Sequence, residues 1–337
     1  MLTTPKFWYE DSIKSKIKSI ILFPLSFLWI LFTRFKSSLT KIYKSKLKVV
    51  CIGNLTVGGT GKTPYAIYTF KILRELGYNP VFLTRGYKGT YNGPIEVTKS
   101  HKFKDVGDEA LLLSKIGTTI ISKNRSLGAK FIEKHKKKFN VIIMDDGLQN
   151  NQLYHDIRFL LIDKNLKFGN EFCLPAGPLR QTVKLGIRGI DRIVLTGNNK
   201  TNDINLFKTY NIPIIETKIK VINSPKIQNK KLFAFCGLGN PSKFYQTLHE
   251  NGYKVSFTKS FPDHYNYNYQ DINNLILIAT KQNLELITTE KDYVKINNKN
   301  KLIHVLSIEM HLNVEDKSNL KLFLMEKINA ESFSLLH

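Results

Sequence analysis

Residues 47–76 read LKVVCIGNLTVGGTGKTPYAIYTFKILREL and decide the fold of the chain. The stretch opens with a short apolar run, passes through a glycine-rich loop and continues into a helical segment from about Thr63 to Leu76. Residues 56–63, TVGGTGKT, follow the phosphate-binding pattern G-x-x-x-x-G-K-S/T, except that Thr56 replaces its first glycine. Because that pattern works between a strand and a helix, the context predicts a phosphate-binding loop.

Each part of the phosphate-binding loop is predicted to have its own function. Glycines let backbone N–H groups face phosphate oxygens, and the helix N-terminus adds partial positive charge. We expect Lys62 to reach the β- and γ-phosphates of ATP as a catalytic residue, and the Thr63 hydroxyl to ligate Mg²⁺. The alternative is a glycine turn unrelated to nucleotide. The predicted ATP-binding residues are Thr56, Val57, Gly58, Gly59, Thr60, Gly61, Lys62 and Thr63.

A second signal follows a later strand. Residues 141–146 read VIIMDD, four apolar residues and then Asp145 and Asp146. Adjacent carboxylates repel each other, so a cation beside them is expected. The sequence therefore predicts a Mg²⁺ site made by Thr63, Asp145 and Asp146; the alternative is a solvated turn.

The rest of the chain predicts an α/β protein. Short apolar runs alternate with helical stretches from Lys46 onward, which is typical of a parallel sheet covered on both faces. Composition shifts to Asn, Lys and Thr around residues 197–231, and the pattern restarts at Leu232. We therefore predict a P-loop NTPase-type sheet domain with an N-terminal membrane-associated helix and a second, smaller α/β domain. The predicted boundaries are 1–44 for a membrane-associating segment, 45–200 for the P-loop domain, 201–231 for a connector and 232–337 for the C-terminal domain.

The N-terminal segment Ile20–Phe32 has thirteen residues without a charge, and lysines and an arginine flank it. A bilayer-spanning helix needs about 20 apolar residues, and Pro24 weakens the segment further. Two interpretations stay open: a helix lying in one leaflet with its lysines on anionic headgroups, or a buried helix of the main domain. The flanking lysines favour the membrane surface.

Composition limits the partners. The 337 residues include 51 basic and 27 acidic ones, a net charge of +24, which favours a polyanionic partner even after a discount for Lys-, Asn- and Ile-rich codon usage. No aromatic–basic interleaving or nucleic-acid module is evident, so we expect no nucleic-acid partner, and no obligate protein partner is indicated. A metallochaperone-like ATPase would need a Cys/His cluster, whereas Cys51, Cys173 and Cys236 are scattered and predicted to fill the core.

Seven motifs then occur together and in order: GNLTVGGTGKTP (53–64), TRGYKG (84–89), GDEALLL (107–113), MDDGLQ (144–149), LPAGPLR (174–180), FPDH (261–264) and TTEKDYVK (288–295). The series resembles the tetraacyldisaccharide 4'-kinase family, the lipid A 4'-kinases of Gram-negative bacteria, over roughly residues 45–296. Ordinary P-loop proteins share the first motif alone. The N-terminal apolar segment also stands where that family carries its membrane-binding segment.

The resemblance implies transfer of the ATP γ-phosphate, with Mg²⁺, to the 4'-hydroxyl of a lipid-linked disaccharide 1-phosphate, giving lipid IVA. It places the enzyme on the anionic cytoplasmic face of the inner membrane. It also implies that Asp108 is the catalytic base and His264 its partner, which would have to meet across an interdomain cleft. Without the resemblance, Asp108 would be read as a helix cap and His264 as a surface residue.

The resemblance further implies a set of substrate-binding residues. Arginine suits such positions because its planar fork of donors matches phosphate. One position departs from the family, since Asn150 stands where a His usually follows the DDG-x-Q motif. Asn cannot take up a proton near neutral pH, so activity would be reduced if that His transfers protons. The implied substrate-binding residues are Arg85, Tyr87, Arg125, Asn150 and Arg180.

Overall fold

The computed structural model describes residues 4–135, 138–197, 207–223, 227, 229–296 and 301–330. Two sheets organise these residues: one of eight strands and a smaller one of five. Helices cover both, and a long helix lies near the N-terminus. The predicted α/β class with a smaller second domain is confirmed.

The large sheet has the order β3-β4-β2-β5-β1-β6-β7-β8, and its pairs are parallel except β3 with β4. Strand β1 is central, between β5 and β6, so the loop that follows it lies beside the carboxyl end of β5. Burial on both faces explains why these strands read as continuous apolar runs. The strands are β1 (Lys48–Gly53), β2 (Pro80–Thr84), β3 (Ile95–Glu96), β4 (Thr119–Ile121), β5 (Val141–Asp145), β6 (Ile157–Asp163), β7 (Arg192–Thr196) and β8 (Ile214–Glu216).

The small sheet has the order β11-β10-β12-β13-β9, parallel except for β9 against β13. Its strands are β9 (Lys218–Asn223), β10 (Lys231–Cys236), β11 (Lys254–Ser260), β12 (Glu285–Thr289) and β13 (Ile303–His311). The stretch interpreted as a connector thus carries two strands: β8 ends the large sheet and β9 begins the small one. Short runs such as KIKVIN, which alternate in burial on an edge strand, give a weaker signal than a buried run. Residues 198–206, 224–226 and 228 of the predicted connector region lie outside the described residues.

Helices pack on both sheets. After a short 3₁₀ turn at Lys6–Trp8, they are α1 (Ile13–Ser38), α2 (Lys62–Glu75), α3 (Phe103–Val106), α4 (Asp108–Ser114), α5 (Arg125–Glu133), α6 (Val183–Gly186), α7 (Pro241–Glu250), α8 (Tyr269–Lys281), α9 (Glu290–Tyr293) and α10 (Val314–Asn329). Tyr65 and Leu73 of α2 share one apolar core with Val50 and Phe159 of the sheet. Phe323 of α10 belongs to the same core, so the last helix of the described chain completes the P-loop domain rather than packing on the small sheet.

Helix α1 is twice as long as its apolar run and continues through Pro24. Its buried side chains are serines: the Ser26 hydroxyl donates to the Cys173 carbonyl at 2.7 Å and accepts from the Ala176 N–H at 3.0 Å. Its large apolar side chains are instead exposed, Ile21 by 70%. The interpretation as a buried helix is therefore wrong. Within the described residues, α1 is the one helix long and apolar enough to cross a membrane, by length and composition.

Candidate active site

A cavity of about 1310 Å³ runs from the C-terminal half of α1, along the glycine-rich loop, to the small-sheet domain. Trp29 and Phe32 of α1 line it, and so does His264 of the other domain. Both predicted acids, Asp145 and Asp146, also line it. One cavity therefore contains apolar side chains of α1, a phosphate-type loop and an acidic strand end.

The loop between β1 and α2 has the geometry that its sequence predicts. Gly61 is the N-cap of α2 with φ +85°, a left-handed conformation that favours glycine. Two hydrogen bonds to residues outside the loop hold its backbone in place. The Val57 N–H donates to the Pro178 carbonyl at 2.9 Å, and the Thr196 hydroxyl donates to the Thr60 carbonyl at 3.0 Å. All the residues from 57 to 63 line the cavity, whereas Thr56 is buried behind it.

Asp145, at the end of β5, has one carboxylate oxygen without a partner. The Thr63 hydroxyl donates to Oδ2 at 3.0 Å, while Oδ1 is buried and makes no hydrogen bond among the described residues. Burial and the carboxylates of Glu109 and Asp146 raise the pKa of Asp145 to about 7. A buried, unsatisfied carboxylate oxygen beside a threonine hydroxyl fits Mg²⁺, which takes one or two carboxylates and completes its shell with water and phosphate. Among the described residues, no group of three or more His, Cys, Asp or Glu side chains is arranged to hold a metal.

Asp146 differs from its neighbour because two cationic side chains, Lys62 and Arg180, already lie beside its carboxylate. Its φ is +53°, which turns the side chain toward the Arg180 Nη1, at 2.9 and 3.1 Å from its two oxygens. Lys62 Nζ lies 3.7 Å from Oδ1 of Asp146 and donates to Asn54 Oδ1 at 3.1 Å. Burial alone would raise the pKa of Asp146, but Lys62 and Arg180 outweigh it and keep the pKa below its ordinary value. The two acids predicted as an equivalent pair are therefore in different environments.

Asp108 and His264 meet across the two domains. His264 Nδ1 lies 2.9 Å from Oδ1 and 2.8 Å from Oδ2 of Asp108. Asp108 is the first residue of α4, after the N-cap Gly107, and its Oδ1 also accepts from the Glu109 N–H at 2.9 Å, as an acid at a helix N-terminus can. Burial alone would raise the pKa of Asp108, but the hydrogen bond from His264 and the charge of Lys291 lower it to about 2. The carboxylate is therefore ionised and able to accept a proton.

The residues implied for substrate binding line the same cavity. Tyr87 packs edge-on against His264, with ring centroids 5.2 Å apart. Arg125 is buried, and its Nη1 donates to the Ser122 carbonyl at 2.6 Å while its Nε has no partner among the described atoms. Burial and the nearby Arg85 lower the pKa of Arg125 to about 10. Asn150 contacts Gln152 through its amide at 3.3 Å.

Sequence reasoning did not single out two lysines at this site. Lys291 lies 3.3 Å from His264 Nε2, and its motif TTEKDYVK could have drawn attention to it. Lys243 of α7 pairs with the buried Asp163 and donates to the Gly59 carbonyl at 3.3 Å. No motif marks Lys243, because it reaches the phosphate-type loop from the other domain.

This fold and site define a P-loop phosphotransferase, in which a central parallel strand leads through a glycine loop into a helix beside an acidic strand end. The family model described as "Tetraacyldisaccharide-1-P 4'-kinase" (LpxK) matches residues 18–329. The chain belongs to this family.

Two curated relatives agree with this membership. The chain is 36% identical to the tetraacyldisaccharide 4'-kinase of Rickettsia akari, over 96% of its own length and 97% of the relative's. It is 37% identical to that of Rickettsia bellii, over 93% and 95% of the two chains. Among solved structures, an LpxK from Aquifex aeolicus in complex with ATP matches with a TM-score of 0.72 and 27% identity, covering 92% of this chain and 99% of that one.

Proposed function

We propose that this chain transfers the γ-phosphate of ATP to the 4'-hydroxyl of tetraacyldisaccharide 1-phosphate, the step of lipid A biosynthesis that gives lipid IVA. The observation that carries the proposal is the Asp108–His264 pair, 2.8 Å apart at its shortest, in a cavity that also contains the glycine loop. Family membership supplies the acceptor, and the exposed apolar side chains of α1 at the mouth of the cavity suit an acylated substrate.

On the nucleotide side, the backbone of residues 57–61 and the Lys62 ammonium bind the phosphates of ATP. Thr63 and Asp145 would hold Mg²⁺, which supplies charge neutralisation at the β- and γ-phosphate oxygens when bound. Arg180 keeps Asp146 in place, and Asp146 in turn faces Lys62. Arg180 thus acts indirectly, by positioning Asp146, whereas the resemblance implied that Arg180 binds a phosphate directly.

On the acceptor side, the Asp108 carboxylate takes the proton of the 4'-hydroxyl. The hydroxyl oxygen forms a bond to the γ-phosphorus as the bond from that phosphorus to the bridging oxygen of ADP breaks. The proton ends on Asp108, and ADP leaves with the electron pair. His264 orients Asp108 by donating from Nδ1.

The remaining cavity residues position the lipid-linked sugar. Arg85 and Arg125 offer cations for the phosphate already on the substrate, and Tyr87 and Asn150 offer a ring and an amide. The exposed face of α1 lies in the cytoplasmic leaflet of the inner membrane, where its lysines meet anionic headgroups. The acyl chains would then enter the cavity without leaving the membrane.

The proposal is tested with purified protein in detergent micelles, γ-labelled ATP and the disaccharide 1-phosphate. We expect one labelled phosphate per acceptor, located at the 4'-position by fragmentation in the mass spectrometer. Asp108→Ala should lower the rate by at least about 10²-fold. Glu96→Gln, which changes an exposed acid on β3, is the matched control and should leave the rate unchanged. A wild-type protein that binds ATP but labels no acceptor would contradict the proposal.

A further inference from the structure

His264 has a second close partner on the far side of its ring from Asp108. The Nζ of Lys291, on α9, lies 3.3 Å from His264 Nε2 and 3.4 Å from Glu109 Oε1. Asp108 and Glu109 are consecutive on α4 of the P-loop domain. Two consecutive acids of one domain are therefore paired with a histidine and a lysine of the other.

The direction of the contact between Lys291 and His264 follows from chemistry. A lysine ammonium carries donors and no acceptor, so the imidazole must offer the lone pair of Nε2. Burial alone would lower the pKa of Lys291, but the carboxylates of Glu109, Asp108 and Asp263 outweigh it and raise the pKa above its ordinary value. Lys291 is therefore charged, and Nε2 of His264 is the acceptor.

Other charged groups also face this imidazole and have to be weighed. They are Asp108 and Glu109 from α4, Asp263 beside it in the loop, Lys291 from α9 and, behind it, the buried Asp292 and Lys295. Lys88 reaches the same loop through the Asp263 carbonyl, and the Tyr87 ring packs on the imidazole.

Asp263 is the group that would favour a proton on Nε2. Its Oδ2 lies 3.7 Å from Nε2, beyond hydrogen-bond distance, and its side chain is 42% exposed, so water weakens its field. The side chain of Lys291 is 20% exposed and closer. Lys291 is therefore the group within hydrogen-bond distance of Nε2.

We infer that Lys291 is a positioning residue that donates to Nε2 of His264 and thereby holds the imidazole with its Nδ1 proton on Asp108. The inference deepens the proposed function and rests on it for its catalytic meaning. A ring turned over, or protonated on Nε2, would present an N–H to the Lys291 ammonium at 3.3 Å. The contact therefore selects the orientation and tautomer in which Nδ1 donates to Asp108.

The short helix α9 holds Lys291 firmly enough for this role. Thr289 caps the helix by accepting from the Asp292 N–H at 3.1 Å. The buried Asp292 accepts from the Gly237 N–H at 2.9 Å and pairs with Lys295 at 2.7 Å. The Gly237 carbonyl in turn accepts from the His264 N–H at 3.2 Å. One buried network therefore fixes both the lysine and the histidine.

The test measures the tautomer of His264 and turnover on the full-length protein in detergent. With ¹⁵N-labelled histidine, the ring nitrogens of His264 are assigned as the signals lost in His264→Gln. We expect the wild-type ring to carry its proton on Nδ1, and Lys291→Met to show a mixture of Nδ1- and Nε2-protonated rings. We expect kcat of Lys291→Met to fall about 10- to 100-fold with KM for ATP within twofold, because a misplaced base affects chemistry more than nucleotide binding.

Two further variants separate positioning from loss of charge or fold. Lys291→Arg keeps a donor cation and should recover kcat to within about fivefold of wild type and the Nδ1-protonated ring. Lys281→Met, on the exposed end of α8, removes a charge elsewhere in the domain and should change neither readout. A wild-type ring that carries its proton on Nε2 would overturn the inference, even if Lys291→Met does not fold. Because the spectra need no acceptor, this failure is distinct from a failure of the proposed function.

Discussion

The two sides of the cavity are built in different ways. On the nucleotide side, the loop 56–63 and the acids at 145 and 146 follow adjacent parallel strands, β1 and β5, of one sheet. On the acceptor side, Asp108 begins a helix of the P-loop domain, and its partner His264 comes from a loop of the other domain. The predicted loop and acids of the nucleotide side therefore come from one domain, with Lys243 of the other domain reaching the loop, whereas the Asp108–His264 pair needs both domains.

Because of this difference, domain movement would affect the two sides of the cavity differently. On the nucleotide side, the ends of two strands of one sheet position the phosphate-type loop and the acids. The Asp108–His264 pair forms only when His264 reaches α4, so movement of the small-sheet domain would make or break that pair. The comparison predicts that changes on the acceptor side alter chemistry alone, and that changes on the nucleotide side alter binding as well.

The largest effect is expected for Asp108→Asn. The amide keeps the shape of the side chain but accepts no proton, so kcat should fall about 10²- to 10⁴-fold. The dissociation constant for ATP should stay within twofold of wild type, because Asp108 belongs to the acceptor side. Initial rates of labelled phosphate transfer and equilibrium ATP binding check the two statements. Weakened ATP binding in this variant would break the division between the two sides.

Lys62→Met should come next and should fail differently. Removing the ammonium that reaches the phosphates lowers kcat about 10²- to 10³-fold, the loss typical of one electrostatic donor. The same change should weaken ATP binding at least about tenfold, since Lys62 contacts the ground state too. Lys184→Met, an exposed lysine of α6, is the control for a lost charge. Normal ATP affinity in Lys62→Met would mean that Lys62 serves the acceptor rather than the nucleotide.

Arg180→Met should have a smaller effect that sharpens the comparison within the nucleotide side. Without the bonds at 2.9 and 3.1 Å, Asp146 is free to turn away from Lys62. We expect transfer to fall about tenfold, close to the value of one charge-assisted hydrogen bond. Arg188→Met, whose side chain is exposed, serves as the matched control in the same assay. A loss as large as that of Lys62→Met would instead indicate direct contact of Arg180 with the transferred phosphate.

The smallest expected effect concerns pH. The pKa of Asp108 is lowered to about 2, so its carboxylate is ionised throughout the range from pH 5 to pH 8. A group with a lowered pKa loses its charged form only as pH falls through that value. At saturating Mg²⁺ and ATP, Asp108 should therefore give kcat no acid limb between pH 8 and pH 5, a range measurable with labelled ATP. An acid limb near pH 6 that disappears in Asp108→Asn would contradict this.

Much of the nucleotide side could be predicted from the sequence because its residues lie within short stretches. The run from Leu47 to Leu76 encodes strand, loop and helix locally, and an apolar run followed by two acids marks the end of β5. The different environments of Asp145 and Asp146 could not be predicted, since they depend on Arg180 arriving from a distant loop. The length of α1 was missed because its polar first turns, rich in serine and lysine, hide the helical pattern.

The contact between Asp108 and His264 on the acceptor side could not be predicted from local sequence patterns. Asp108 alone suggests a cap and His264 alone a surface loop; their contact depends on how two domains pack. Only the resemblance to a family paired them beforehand. Lys291 lies within the motif TTEKDYVK, but a lysine after a strand has no distinctive spacing of its own, and its role emerges from a 3.3 Å contact to a residue 27 positions away. The two strands within the predicted connector were not foreseen for a related reason, since edge strands carry a weaker pattern than central ones.

The most direct test of a shared acceptor site is a double-mutant cycle between Asp108→Asn and His264→Gln, followed by kcat for phosphate transfer. If His264 acts through Asp108, the double variant should be no slower than Asp108→Asn alone, to within about threefold. Losses that multiply, so that the double variant is slower than either single variant by the full factor of the other, would mean that the two residues act independently and would contradict a base assembled across the domains.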